Sequence, residues 1–517
     1  MATAIGSTLG AVKQTFWEVW GEPALTATGL YEPQDRTYGR YAIPFSPMEQ
    51  RLHANADVTV WFGKAMMPNG KDFTWYQVWE DHAAQKRTGR KADILFVHGT
   101  GVHGGTLASH SRRYLDAGFR VIVPDLPSHG YSTGVHVFQH EIRGYTSGLH
   151  AVLHDIGARD DNLYNNGELL LKGQRRDCFL LGLSFGGLVA LSYALHYPTS
   201  LRSAEADDWE MPVDGIVAVG PMIGYSVQNC SISPTAEKLI SMANHYLHLS
   251  RLELVVPHKK CLDKDPKVYK TLVTEDKRSH QGAFRIGHLA ALHYGMIELR
   301  KRAHEIVHPI FVQQGGQDRV VDFNYCVDFV RDINSTDKRC VVYPVCQHVI
   351  YRKAKTEEED QAGRVACIED NVEWMCERSR VPTMHRQLSA ISMQSDVTMY
   401  DEGVPIHPLA MGEDGFNKRN PLSSALLTPI QPSTPSFPQT SEAFFDPSKP
   451  IPTYAESESG DSDDSNEEDN AHPLLAKAHP TTLPLLAKIA AERAYRANWS
   501  LHEQLRPYDI SCEHKKK

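Results

Sequence analysis

Cys178-Phe179-Leu180-Leu181-Gly182-Leu183-Ser184-Phe185-Gly186-Gly187-Leu188-Val189-Ala190-Leu191 is an apolar run that passes through a Gly-x-Ser-x-Gly turn into a second apolar run of helical character. A serine on a sharp strand-to-helix turn stands clear of the sheet. The small residues at 182 and 186 let the backbone turn without side-chain collisions. Ser184 is the candidate nucleophile, and a plain turn serine is the competing reading.

A serine hydroxyl is not nucleophilic at neutral pH. It needs a base, an acid to orient the base, and donors for a developing oxyanion. The chain holds candidates in the order nucleophile, acid, base. Pro309-Ile310-Phe311-Val312 reads as a buried strand ending in Gln314-Gly315-Gly316-Gln317-Asp318, which makes Asp318 the candidate acid. Asp322 competes, but it stands where a helix over 323–333 begins, and a carboxylate there stabilises the helix start. Cys340-Val341-Val342-Tyr343 is the next strand. It leads to His348, the one histidine after Asp318 in the part that reads as folded, and so the candidate base. The first core strand, Ile94-Leu95-Phe96-Val97, ends in His98-Gly99-Thr100-Gly101-Val102-His103-Gly104-Gly105, a loop with free backbone amides. The amides of Thr100 and Phe185 are the candidate oxyanion donors.

These motifs resemble the monoacylglycerol lipase-like, serine aminopeptidase-like branch of the α/β-hydrolases. The loop 98–103 is similar to that branch's oxyanion loop. Pro124-Asp125-Leu126-Pro127-Ser128-His129-Gly130-Tyr131-Ser132-Thr133-Gly134 is similar to its Asp-x-x-Gly-His-Gly-x-Ser-x-Gly segment, with Ser128 in place of a glycine. Val349-Ile350-Tyr351 departs from the acidic residue that often follows the histidine, and Cys346 stands where a small residue is usual. A buried, inert thiol is the expectation for Cys346. The resemblance covers about residues 58–380. It implies a Ser-Asp-His serine hydrolase cleaving carboxylic esters, most simply a monoacylglycerol or lysophospholipid lipase. It also implies a cap over Ser184 whose acyl pocket would be lined by Met222, Ile223, Met242, Leu247 and Leu249. An aminopeptidase, an acyltransferase and a non-catalytic hydrolase-fold scaffold are the alternatives.

The rest of the chain fits a doubly wound, mostly parallel α/β sheet with an inserted helical cap and a disordered carboxy-terminal extension. A hairpin from Val58 to Trp79 turns near Asn69-Gly70. Strands follow at 94–97, 120–124, 178–183, 214–219, 309–313 and 339–343, with a helix over 142–156 and a last core helix over 361–377 burying Val365, Ile368, Val372 and Met375. The polar stretch 159–177 reads as a surface insertion. The cap spans about 221–305, with an amphipathic run over 236–249 and an apolar one over 252–257. Residues 1–57 form an extension in which Leu9, Val12, Phe16, Val19 and Trp20 share a helical face behind Ser7 and Thr8. Residues 381–480, rich in Pro, Ser, Thr and acidic side chains, read as disordered, with Ser462 and Ser465 in phosphorylation-like surroundings. Residues 481–517 read as a helix built on Leu483, Leu485, Leu486 and Ile489, followed by a basic tail.

Of the net charge of −9, eight acidic residues fall in 455–470, which leaves the remainder close to neutral and gives no reason to expect a nucleic-acid partner. Nine irregularly spaced cysteines, without Cys-x-x-Cys, suit a reducing compartment. No signal peptide or bilayer-spanning run is evident, so the expected location is cytoplasmic, and the sequons at Asn229, Asn334 and Asn498 read as chance. The amino-terminal face could rest on an intracellular membrane or lipid-droplet surface, or pack on the core. His304-Glu305-Ile306-Val307-His308 matches a zinc-protease pattern, but Pro309 and the strand after it break the helix that chemistry needs. His150 and His154 form a weaker pair. No cofactor or metal is expected.

Overall fold

Strands that are buried at nearly every position require cover on both faces. In the computed structural model, which describes residues 12–204, 210–226, 242, 244, 246–254, 263–380 and 507–510, such strands form the centre of a nine-stranded sheet. In chain order these are β1 (Thr59–Met66), β2 (Phe73–Glu80), β3 (Ala92–Val97), β4 (Arg120–Pro124), β5 (Asp177–Leu183) and β6 (Gly215–Val219). The short β7 (Glu253–Leu254) and β8 (Phe284–Arg285) pair apart from the sheet, and β9 (Ile310–Gly315), β10 (Lys338–Tyr343) and β11 (Tyr508–Asp509) complete the series. The spatial order is β1-β2-β4-β3-β5-β6-β9-β10-β11, parallel from β4 to β10 and antiparallel at both edges.

Because successive side chains alternate across a strand, each central strand feeds two cores. Leu95, Val97, Leu180, Ile216 and Val312 meet the helices Ile142–Asn165, Phe185–His196 and Ile286–Lys301 on one face. Phe96, Phe179, Leu181 and Phe311 meet the helices Ser111–Asp116 and Ala366–Arg378 on the other. The expected core positions of the last helix, Val365, Ile368, Val372 and Met375, are all buried.

Three expectations change. The stretch 159–177 is a surface insertion only in part: the helix begun at Ile142 runs on to Asn165 and turns Asp160 and Asp161 inward, and the exposed part is the loop that follows it. Asp160 pairs with Arg120 at 2.8 Å, Arg120 reaches Asp93 at 2.9 Å through Nε, and Arg176 joins Asp93 at 2.6 Å. Arg175 holds Asp161 at 3.1 Å. Breaking a buried pair leaves charges without partners, so Arg120→Ala is expected to cost about 3–5 kcal/mol, read as a lowered urea midpoint.

The amino-terminal segment is not a separate extension up to residue 57. Arg40 is buried and donates to Gly130 O at 2.8 Å and Ser132 O at 2.6 Å, and Phe45 packs with Trp75 and Tyr131. Of the expected amphipathic face, Val19 is buried, Val12 and Phe16 are exposed, and Ser7, Thr8 and Leu9 lie outside the described residues. Trp20 Nε1 donates to Leu247 O at 2.6 Å, and Glu22 meets Arg251 at 3.4 Å, so this helix rests against the cap.

The third change is at the carboxy-terminal end. Tyr508–Asp509 adds an antiparallel strand to β10, with Val341 opposite Asp509 and Val342 opposite Tyr508. Ile510 N–H donates to Cys340 O at 2.8 Å, its side chain is buried, and Arg339 pairs with Asp509 at 3.0 Å. The expected disordered segment 381–480, the helix over 483–494, Ser462, Ser465 and the basic tail lie outside the described residues.

Candidate active site

β5 delivers Ser184 to the sheet's carboxyl edge, where it caps the helix Phe185–His196 with φ 55° and ψ −116°. This conformation is sparsely populated for a residue with a side chain. It is held by Ser184 N–H donating to Val219 O at 2.9 Å and by Ser184 O accepting from Gly187 and Met222 at 2.9 and 3.0 Å. The turns after β9 and β10 bring the other two candidates to the same place. Ser184 Oγ lies 2.7 Å from His348 Nε2, and His348 Nδ1 lies 2.9 Å from Asp318 Oδ2. Asp318 is fixed in turn by Gln314 Nε2 at 3.0 Å and by the amides of Val320 and Val321 at 2.8 and 3.0 Å. Asp322 instead caps the helix Phe323–Asp332 by accepting from Asn324 N–H at 2.9 Å.

The loop after β3 runs alongside: a Cβ built on Gly99 would lie 3.7 Å from Ser184 Cβ. The amides of Thr100 and Phe185 have no acceptor among the described residues. His98 locks the loop's start, its Nδ1–H donating to Gly99 O at 2.8 Å while Nε2 accepts from Leu126 N–H at 2.9 Å. Burial drives its pKa down to about 3, so the ring stays neutral and keeps that tautomer. Ser128, in place of a glycine, adopts φ 69°, the left-handed region that suits glycine, and its Oγ accepts from Phe138 N–H at 3.0 Å. Burial raises the Cys346 thiol to about 12, which keeps it protonated.

The expected pocket residues separate. Ile223 is a correction: its side chain is fully buried in the main core, and it lines no solvent-reachable pocket. Met222 is half-buried against the same core, Leu249 is half-buried, and Met242 and Leu247 are exposed. The His304/His308 motif is interrupted. His304 sits in the short turn Ala303–Glu305, and His308 is buried against Ser200 Oγ at 3.1 Å. His150 stacks on Tyr197 with ring centroids 4.0 Å apart, and burial drops His150 and His154 to about 3 and 4, as half-buried neutral imidazoles. Among the described residues, no group of three or more His, Cys, Asp or Glu side chains is arranged to hold a metal ion.

Sequence reasoning missed Glu49, Asp276 and Arg278, which close around the loop after β3. Glu49 and Arg278 stand 229 positions apart, and no local signal joins them.

The sheet order, the elbow and the loop after β3 define an α/β serine hydrolase. Residues 88–354 match the family described as "Serine aminopeptidase, S33" (Hydrolase_4), and the chain belongs to that family. A curated relative, the pimeloyl-[acyl-carrier protein] methyl ester esterase of Nitrosospira multiformis, is 32% identical over 114 residues, which cover 22% of this chain and 37% of that relative. Among solved structures, a Paleococcus ferrophilus monoacylglycerol lipase is 19% identical, with a TM-score of 0.44, covering 62% of this chain and 100% of its own. A soluble variant of Saccharomyces cerevisiae monoglyceride lipase is 15% identical, with a TM-score of 0.48, covering 63% and 96%. A Bacillus coagulans carboxyl esterase is 16% identical, with a TM-score of 0.45, covering 62% and 99%.

Proposed function

We propose that this hydrolase cleaves carboxylic esters of the monoacylglycerol or lysophospholipid kind through an acyl-enzyme on Ser184. The observation that carries the reading is the unbroken line from Ser184 Oγ to His348 Nε2 at 2.7 Å and from His348 Nδ1 to Asp318 Oδ2 at 2.9 Å. Ser184 Oγ attacks the ester carbonyl as His348 Nε2 takes its proton. Asp318 holds the Nδ1–H tautomer and stabilises the imidazolium, and the Thr100 and Phe185 amides receive the negative oxygen. His348 returns the proton to the departing alcohol, and water then repeats the sequence to free the acid. No residue in this scheme calls for a metal or a cofactor.

The test is labelling by a fluorophosphonate probe, with the adduct mapped to the peptide holding Ser184. Competition by monoacylglycerols, lysophospholipids and aminoacyl amides would follow. Protection by the lipids alone supports the ester reading. Protection by amides alone moves the assignment to a peptidase, and a folded protein that takes no label overturns it.

No helix among the described residues is long and apolar enough to cross a membrane. Contact with a lipid surface is the part of this reading supported by exposed Val12 and Phe16 on the amino-terminal helix and exposed Met242, Tyr246 and Leu247 on the cap, two segments tied by Trp20. The protein is expected to float with phosphatidylcholine vesicles in a sucrose gradient. Phe16→Asp with Leu247→Asp is expected to return it to the soluble fraction, and flotation that survives both changes would exclude this face.

A further inference from the structure

The oxyanion loop is gripped from outside by side chains that the chemistry above leaves unused. A main-chain bond adds to their hold: the backbone N–H of His280 donates to Gly101 O at 2.7 Å. Two residues earlier in the same cap segment, Arg278 Nη2 pairs with Glu49 Oε2, and Asp276 Oδ2 lies 2.7 Å from His103 Nε2. The Glu49 carboxylate fills the space a side chain at 105 would need, since a Cβ on Gly105 would meet Glu49 Oε1 at 2.0 Å. Glu49 Oε1 also accepts from Gln77 Nε2 on β2 at 2.8 Å, while Oε2 accepts from Ser46 N–H at 2.9 Å, closing the capping box of the helix Pro47–Ala54. Gly104 N–H is taken by Asp125 Oδ1 at 2.9 Å. Loop positions 101, 103, 104 and 105 are thus each tied down or buttressed, three of them by the cap or the amino-terminal segment.

The cluster is dry. Glu49 and Arg278 are fully buried, and the guanidinium lies 4.5 Å from the Tyr131 ring centroid and 5.5 Å from that of Phe45. Burial and Arg278 press the His103 pKa down, but Asp276 and Glu49 outweigh them and leave it above the ordinary imidazole value, which favours an ionic contact with Asp276. A buried ion pair is a poor source of stability, and apolar side chains would fill the same volume at least as well. What charged groups supply here is direction. Each bond fixes one point of a loop whose amide at Thr100 has to face an oxygen beside Ser184, where a misplacement of about 1 Å costs on the order of a hundredfold in rate.

We propose that Asp276 and Arg278, carried by the cap, are positioning residues for the oxyanion loop, acting through His103 and Glu49, so that the hole is complete only when the cap is seated. The inference rests on the Ser184 reading of the site.

Two variants of the full chain test it: Asp276→Asn, which keeps the shape and removes the charge, and the double change Glu49→Gln with Arg278→Met, which removes both charges of the buried pair. In each, kcat on p-nitrophenyl butyrate is expected to fall roughly ten- to a hundredfold with KM within about twofold. Affinity for phenylboronic acid, whose tetrahedral serine adduct places an oxygen in the hole, is expected to fall by a similar factor. The melting temperature of Asp276→Asn should hold. A purely structural role predicts instead that the double variant, in which neither charge is left unpartnered, keeps both the stability and the kcat of the wild type. Unchanged kcat in either folded variant, a change in KM alone, or a fall in kcat with boronate affinity intact would overturn the proposal. The double variant decides the matter if Asp276→Asn does not fold. Wild type that is labelled at Ser184 beside unaffected variants sinks this inference alone, whereas activity surviving Ser184→Ala sinks the reading beneath it.

Discussion

Ser184→Ala is expected to lower kcat by about 10⁶, the scale seen when the nucleophile of a serine triad is removed. The argument rests on what remains. His348 would keep Asp318 at 2.9 Å but face a methyl group, and the imidazole would have no hydroxyl to deprotonate. The substrate would keep its oxyanion donors and lose the covalent route. Stability should change little, because the alanine keeps the φ of 55° and ψ of −116° and the hydrogen bonds through Ser184 N and O. That backbone conformation costs on the order of 1–3 kcal/mol for a residue with a Cβ. Ser184→Gly should therefore be as inactive as Ser184→Ala but more stable than it, by about 1 kcal/mol after the entropy of the added glycine is subtracted. Hydrolysis by active-site-titrated enzyme and urea unfolding of the two variants measure both effects. A Ser184→Ala protein with more than about a hundredth of wild-type turnover would remove Ser184 from the mechanism.

Gly186→Ala is the second large effect, and here the chain has nowhere to go. The added Cβ would stand 1.9 Å from Val97 O, 2.5 Å from Val97 C and 2.6 Å from His98 O. All three are backbone atoms at the junction of β3 and the oxyanion loop, and β3 is held by β4 on one side and β5 on the other. Overpacking a core typically costs about 1–3 kcal/mol when side chains absorb it. With main chain as the obstacle the loss is expected to exceed about 3 kcal/mol, and any folded fraction should label slowly with fluorophosphonate because the 98–101 loop has been pushed off Ser184. Urea unfolding followed by labelling of the folded pool separates the two effects. A variant of wild-type stability and labelling rate would contradict this close approach of elbow and loop.

The elbow, the two loops that meet it and the six central strands could be read from the sequence because each is a local signal: an apolar run, a glycine-rich turn, a polar residue at a strand end. The hairpin was equally plain from Asn69-Gly70 between alternating segments. Charge was misread where its partner is distant. Asp160 and Asp161 look like solvent-facing residues until Arg120 and Arg175 are brought beside them, and Glu49 looks like an ordinary cap residue until Arg278 arrives from the far side of the fold. Apolar residues in the cap posed the converse difficulty. Ile223, Met242 and Leu247 are alike in hydropathy, yet one is core and two are exposed, and periodicity does not say which surface a helix face will meet. Tyr508–Asp509 was invisible as a strand because two residues carry no alternation.

That short strand gives the carboxy-terminal segment an unusual circumstance. Arg380 is anchored by its N–H on Asp177 Oδ2 at 2.7 Å, and Tyr508–Asp509 pairs with β10 of the same sheet. Among the described residues this contact comprises two paired residues, one buried isoleucine and one ion pair. Without that pairing, the carbonyls and amides of β10, the strand that leads directly to His348, would form an open edge available to other chains. Two residues far along the chain from the triad candidates thus decide whether β10 meets neighbouring molecules as a covered strand or as an adhesive edge.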